Sequence, residues 1–263
     1  MSKYSIFQIP LLSFYSTDLY RDMALNKKGI GFGYLFLLLA FCWLIIIFAL
    51  DNKIDVYLDE HSPALLNQIP EITIQNGMAS IRESQPYYID DPETGRPLAV
   101  IDTTGTINSL EQTEAVVLLT KNKVTFEKSK METRTFELSE VGDMVIDSSL
   151  LSTWVEAAKS YMAVIMYPFA LAGSFLYRII QMLIYAAIGL VFASMLKVEP
   201  DYSQLLRLSV VAATPAILIN TFLWVAGINI PMVGLIFFGM SMVYLYLGIK
   251  ATIEIEPEQE AME

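Results

Sequence analysis

The 263 residues carry a formal charge of −11 and a mean hydropathy of +0.48, with 54% apolar side chains. A water-soluble domain of this length rarely reaches that hydropathy, so membrane spans are expected. The acidity argues against a nucleic-acid partner, which needs a basic face. One cysteine, Cys42, and one histidine, His61, leave no internal disulfide and no Cys/His zinc cluster.

Residues 1–30 lack the basic start, apolar core and small-residue cleavage site of a signal peptide. Leu12, Tyr15, Leu19 and Met23 recur at helical spacing. Ser16 or Thr17 can cap a helix from Asp18 to about Asn26, and Lys27, Lys28 and Gly29 end it. The segment reads as a cytoplasmic amphipathic helix lying on the membrane surface. Residues 31–50 are 20 positions without a charge, the first span. Arg21, Lys27 and Lys28 precede it, while Asp51, Asp55, Asp59 and Glu60 follow. The positive-inside rule therefore puts the N-terminus in the cytoplasm and the next segment outside.

Residues 51–160 form a polar insert, with 19 acidic and 8 basic residues between Asp51 and Glu156. A solvated acidic surface is the ordinary meaning of such a balance. A helical or irregular stem over 54–66 leads into short β-like runs at 72–75, 79–83, 86–89, 98–102, 115–120, 123–128 and 133–138. Asn76-Gly77 and Lys121-Asn122 fall where tight hairpin turns are needed. Asp91-Pro92-Glu93-Thr94-Gly95 is a turn signal. Asn108 or Ser109 can cap a short helix at Leu110, and Ser139 another turn. Ser148 or Ser149 can open the helix that carries Trp154. His61 reads as a surface loop residue.

Residues 161–196 contain a single charge, Arg178. One helix of that length runs about 54 Å, against about 30 Å of bilayer core. Pro168 and Gly173 interrupt its first half. One solution is an interfacial half-helix over 161–175, then a span over 177–196. The other is two short spans with Arg178 at the turn. Lys197, Arg207 and Lys250 obey the positive-inside rule better in the first. Spans over 208–226 and 232–249 follow, then an acidic cytoplasmic tail, 251–263. The fold class expected is a membrane protein: a bundle of four or five transmembrane helices with a small α+β extracytoplasmic domain inserted after the first span.

Three constellations invite chemistry. Asp90, Asp91 and Glu93, with Asp102, supply the oxygen ligands a hard cation wants, but the spacing is not that of an EF-hand. A solvated turn whose aspartates bond their own backbone explains them as well. Asp102-Thr103-Thr104-Gly105 at a strand end can hold a ligand through hydroxyls and amides, or be a turn needing glycine at positive φ. Within the membrane, Arg178, Gln181 and Tyr185 share one helical face, and Asn220 and Thr221 lie in the next span. Intramembrane polar residues suggest a functional site. Snorkelling of Arg178, and hydrogen bonds from Gln181 and Asn220 between helices, are the structural alternative. No nucleophile–base pair, metal set or cofactor motif is visible. The expected partners are the lipid bilayer and either another protein or a second copy.

Several strings occur together in order. They are Leu12-Ser13-Phe14-Tyr15-Ser16-Thr17-Asp18-Leu19-Tyr20-Arg21-Asp22, then Gln85-Pro86-Tyr87, Asp90-Asp91-Pro92-Glu93-Thr94-Gly95 and Ile101-Asp102-Thr103-Thr104-Gly105. Arg178-Ile179-Ile180-Gln181, Leu206-Arg207-Leu208 and Thr214-Pro215 complete the set. In this combination the chain resembles the bacterial membrane family called domain-of-unknown-function 1189, some of whose relatives carry a maltodextrin-utilisation label. The resemblance implies placement in the bacterial inner membrane. It brings no activity and no catalytic residues. The reading is an uncharacterised, non-enzymatic inner-membrane protein that binds, senses or scaffolds through its extracytoplasmic domain. The alternative is an accessory subunit of a sugar or ion transport system.

Overall fold

The structure, a computed structural model, describes residues 3–26, 29, 31–129 and 132–253. The chain divides into two compact units: residues up to Leu50 together with those from Ala163 onward, and Asp51–Met162. Four helices among the described residues are long and apolar enough to cross a membrane. They are α3 (Phe32–Leu66), α4 (Ser148–Leu196), α5 (Tyr202–Val225) and α6 (Val233–Lys250). Two short helices, α1 (Ile9–Leu12) and α2 (Thr17–Leu25), precede them.

In the helical unit α5 is the centre. Every residue from Leu205 to Ile217 is buried, as expected of a helix apolar on all sides. It packs on α6, α2 and α1. Gly248 of α6 admits the Tyr20 ring of α2; a Cβ there would sit 2.7 Å from Tyr20 Cδ1. Hydrogen bonds stitch the other helices in. Trp43 Nε1 donates to Ser174 Oγ at 2.6 Å, Tyr167 Oη donates to the Ala40 carbonyl at 3.1 Å, and Tyr34 Oη pairs with Thr214 Oγ1 at 3.2 Å. Such contacts hold helices together where lipid gives no hydrophobic drive.

Three expectations change here. The half-helix over 161–175 and the two-span hairpin at Arg178 are both absent, because α4 runs unbroken through Pro168, Gly173 and Arg178. An apolar surround makes an opened backbone costly, so a helix tolerates Pro and Gly there. The span expected over 208–226 begins earlier: Asp201 and Gln204 form a capping box and α5 starts at Tyr202. The N-terminal segment does not reserve its apolar face for the membrane surface. Leu19 and Met23 are buried within the protein core, on the side where α2 meets α5 and α6. Lys27 and Lys28, and residues 254–263 of the acidic tail, lie outside the described residues.

Among the described residues the polar unit holds the first part of α4, the second part of α3 and eight strands. These are β1 (Ile72–Gln75), β2 (Met78–Ser80), β3 (Tyr87–Asp90), β4 (Pro97–Asp102), β5 (Val117–Thr120), β6 (Lys123–Ser129), β7 (Glu132–Glu137) and β8 (Met144–Ile146). They form a β2-β1-β8 sheet and a β3-β4-β5-β6-β7 sheet. All pairings are antiparallel except β4 with β5, which run parallel with Ile101 opposite Leu119. Ile72, Ile74 and Ala79 of the small sheet share a core with Ile89 and Ile101 of the large one. Val100 and Leu118 face the other way and are covered by Ile107, Ala115 and Leu110.

The β1–β2 hairpin turns at Asn76 and Gly77, with φ of 49° and 73°, as a two-residue turn requires. Strand β8 went unrecognised in the sequence: three residues have strand character only because β1 pairs with them. The cap of α4 is Asp147, not Ser148 or Ser149, and its Oδ1 accepts from the Leu150 N–H at 2.8 Å. His61 sits within α3 rather than in a loop, with Nε2 2.7 Å from Glu93 Oε1.

Candidate functional site

The acidic turn is built around Asp91. Its Oδ1 accepts from the Glu93 N–H at 2.9 Å and its Oδ2 from the Thr94 hydroxyl at 2.7 Å. The Thr94 and Glu93 donors hold the Asp91 carboxyl below the usual carboxylate range. Asp90 gives its backbone to Gln68, whose Oε1 accepts from the Asp90 N–H at 2.9 Å and whose Nε2 donates to the Asp90 carbonyl at 3.0 Å. Asp90 pairs with Pro97, at the end of β4 opposite Asp102. The five intervening steps amount to about 16 Å of strand, so the acidic turn and Asp102 are not brought together.

Asp102 is fully buried. Its Oδ1 accepts from the Thr104 N–H at 2.8 Å and the Thr104 hydroxyl at 2.5 Å, and its Oδ2 from the Ile107 N–H at 2.5 Å. Burial pushes the carboxyl up, but the donors from Thr104 and Ile107 outweigh it and leave it below its ordinary value. Thr103 turns elsewhere: its N–H and hydroxyl both donate to Gln85 Oε1. Gly105 has a φ of 88°, which a side-chain-bearing residue reaches only with strain. The carboxylate ties down the β4–β5 crossover.

In the helical unit Arg178 Nη1 donates to Gln181 Oε1 at 2.6 Å, and Gln181 Nε2 donates to Tyr185 Oη at 2.8 Å. These three residues form the one-face ladder read from the spacing. Asn220 lies half-buried on α5 and takes no part in it.

Two arrangements escaped the sequence. Arg207 is buried and binds the end of α2: Nε donates to the Met23 carbonyl at 2.8 Å, Nη2 to Ala24 at 2.8 Å and Nη1 to Gly29 at 2.6 Å. It supplies the donors that helix carbonyls lack at a C-terminus. Arg21 does the same for α6, with Nε donating to the Ala251 carbonyl at 3.0 Å. The second is in the polar unit. Asp51, Asp55 and Asp59 recur every four residues along α3 and line a cleft of about 390 Å³ with Glu156, Lys159 and Ser160 of α4. Lys159 Nζ lies 2.5 Å from Asp59 and 2.8 Å from Glu156, and the Asp59 and Glu156 carboxylates push its ammonium above the ordinary lysine value. The four-residue repeat of Asp51, Asp55 and Asp59 was the available signal. Among the described residues no three His, Cys, Asp or Glu converge in a way that could hold a metal ion.

The family described as "Protein of unknown function (DUF1189)" matches residues 7–249. The chain belongs to that family. This DUF1189 chain is also similar to the "Uncharacterized protein RP489" of Rickettsia prowazekii (strain Madrid E). The two are 27% identical over 125 residues, a stretch that covers 43% of each. No solved structure matches. Neither the family nor the relative indicates a catalytic class. Four long apolar helices among the described residues, with a small strand-rich region inserted between them, fit a multi-pass membrane protein with an inserted α+β domain.

Proposed function

We propose that this DUF1189 chain is a non-enzymatic protein of the bacterial inner membrane whose polar unit lies outside the cytoplasm and binds another protein, in a sensing or scaffold role. One observation carries the binding: β7 ends its sheet, all its residues are exposed, and Phe136 stacks on Phe126 with ring centroids 5.6 Å apart. An open strand edge offers backbone donors and acceptors to a partner's strand. Glu132, Arg134 and Glu137 discourage indiscriminate pairing along that edge, while the aromatic pair is the kind of side chain that anchors interfaces.

A photocrosslinker at Thr133 in the intact protein, in native membranes, tests the proposal. A discrete crosslinked product is expected, and it is lost when Phe126→Ser and Phe136→Ser are combined. Absence of any product, or its survival in that variant, sinks the reading.

The orientation has its own support. Arg21 caps α6 next to Lys250, and Arg207 caps α2, so these cations gather at one end of the helical unit. The positive-inside rule assigns that end to the cytoplasm. With Cys42→Ser as background, a membrane-impermeant thiol reagent is expected to label Thr94→Cys and not Ser203→Cys. The reverse pattern inverts the topology.

A second reading, an accessory subunit of a sugar or ion transport system, rests on the Arg178–Gln181–Tyr185 ladder in an apolar helix. It requires uptake to fall on Arg178→Ala in a protein that still folds; unchanged uptake removes it.

A further inference from the structure

The N-terminal segment buries Ile9 and Ser13 against the bundle, yet its other side is apolar as well. Phe7, Leu11 and Tyr15 follow one another at four-residue spacing and all are exposed, Phe7 at 92%. The first part of α3, charge-free up to Leu50, shows a matching stripe of exposed Leu37, Phe41, Leu44 and Phe48. Between the two lies a groove of about 400 Å³ lined by Ile6, Phe7, Pro10, Leu37, Leu38 and Phe41, with the Tyr34 ring at its side. The Tyr34 hydroxyl is engaged with Thr214, so it is not free to bind an occupant. The volume falls within the range of about 300–1,000 Å³ typical of small-molecule sites.

We propose that this groove holds one acyl chain of a membrane phospholipid. The occupant follows from the groove's continuity with the exposed α3 stripe, which faces hydrocarbon in a protein whose α3 crosses the bilayer. The lining residues of α3, from Tyr34 to Phe41, are in the first turns of that span, near the end where a headgroup sits. The N-terminal segment forms the opposite wall, so the chain is gripped between two protein surfaces rather than merely adjoining one. A segment apolar on both sides is stable only with protein behind it and lipid in front. The membrane-surface contact expected of the N-terminus thus belongs to the stretch around α1, and α2 serves to fasten it.

The test uses the full chain in nanodiscs of phosphatidylethanolamine and phosphatidylglycerol carrying a photoreactive diazirine in one acyl tail. Adducts are expected on Ile6, Phe7 and Leu37 several-fold above those on Leu235 and Ile236, exposed residues of α6. Leu37→Trp, at an exposed position that leaves the core intact, fills the groove and removes the excess; Phe7→Ser opens one wall and also lowers it. Adducts equal to those on α6 and unchanged by both variants mean ordinary surrounding lipid and overturn the proposal. Disulfide-linked dimers of Leu37→Cys in a Cys42→Ser background, with no groove adducts, give the face to a second copy and overturn it as well.

Discussion

The helical unit and the polar unit each bury charged side chains, and they use them at opposite ranges along the chain. Arg207 fastens Met23 and Ala24 across more than 180 residues of sequence. Asp102 fastens Thr104 and Ile107, two and five residues away. In both cases the charge serves orphan backbone groups, which burial would otherwise leave costly. The lesson is that apolar packing settles where the helical unit's mass goes, while two cations, Arg207 and Arg21, fasten its N-terminal segment to distant helix ends. In the polar unit the sheets come first, and local anions finish their loops.

Removing the long-range tie is expected to have the largest effect. Arg207→Leu deprives three carbonyls of charged donors, each such bond being worth about 1.5–3 kcal/mol. We expect a loss of about 3 kcal/mol or more in stability, read as a lowered unfolding temperature in detergent, with faster proteolysis of the N-terminal segment. Arg207→Lys is expected to recover only part, because an ammonium cannot span the carbonyls that the guanidinium fork reaches. An unfolding temperature equal to wild type would show that packing and the Arg21–Ala251 bond hold α2 without Arg207.

Next in size is a backbone position of the polar unit. Gly77 has a φ of 73°, and a Cβ there would lie 2.9 Å from Ser139 Cα. The left-handed conformation costs a side-chain-bearing residue about 1–2 kcal/mol, and the clash with backbone adds to it. Gly77→Ala is expected to destabilise the polar unit by about 2–3 kcal/mol. Hydrogen exchange at β1 and β2 should rise while the α5 core stays protected. Loss of protection throughout both units would mean that they unfold together.

Asp102→Asn should cost less, because one oxygen remains to accept; about 1–3 kcal/mol is at stake for a buried donor left unpaired. The folded carboxyl lies below its unfolded value of about 3.9. Its contribution is therefore complete above that pH and fades as pH falls through the depressed folded value. The variant should lose that part of the acid dependence. An acid unfolding profile that keeps the wild-type slope below pH 4 would reassign the dependence to other carboxyls.

The same contrast of range explains what could be read from the sequence. Four long apolar helices show as continuous uncharged runs, and the Asn76-Gly77 turn, the Asp91 turn, the Ser109 cap of the Leu110–Gln112 turn and the Arg178–Gln181 ladder depend on neighbours within about seven residues, which spacing displays. The unbroken passage of α4 through Pro168 was not legible, because local propensity argues for a break and only the apolar surround overrides it. Arg207 looked like a flanking cation because its partners lie at the far end of the chain. Strand β8 was hidden in the same way, since its character comes from β1.

The smallest expected effect belongs to the clasp in the polar unit. Lys159 is close to two carboxylates, but Asp59 and Glu156 are each largely exposed, and exposed ion pairs contribute little. Lys159→Met should lower the unfolding temperature less than any variant above. Its effect should depend on salt, because Asp59 and Glu156 then lose their cation beside Asp51 and Asp55, and the repulsion reaches about 30 Å at 0.01 M ionic strength against about 10 Å at 0.1 M. The sign with pH runs opposite to Asp102. Asp59 and Glu156 raise the folded lysine value, so the clasp contributes fully below the unfolded value of about 10.4 and is lost as pH climbs through the folded one. A difference from wild type that shrinks with added salt and vanishes in strong alkali identifies a charge clasp. One that ignores both identifies the lysine's largely buried side chain, not its charge, as the part that matters.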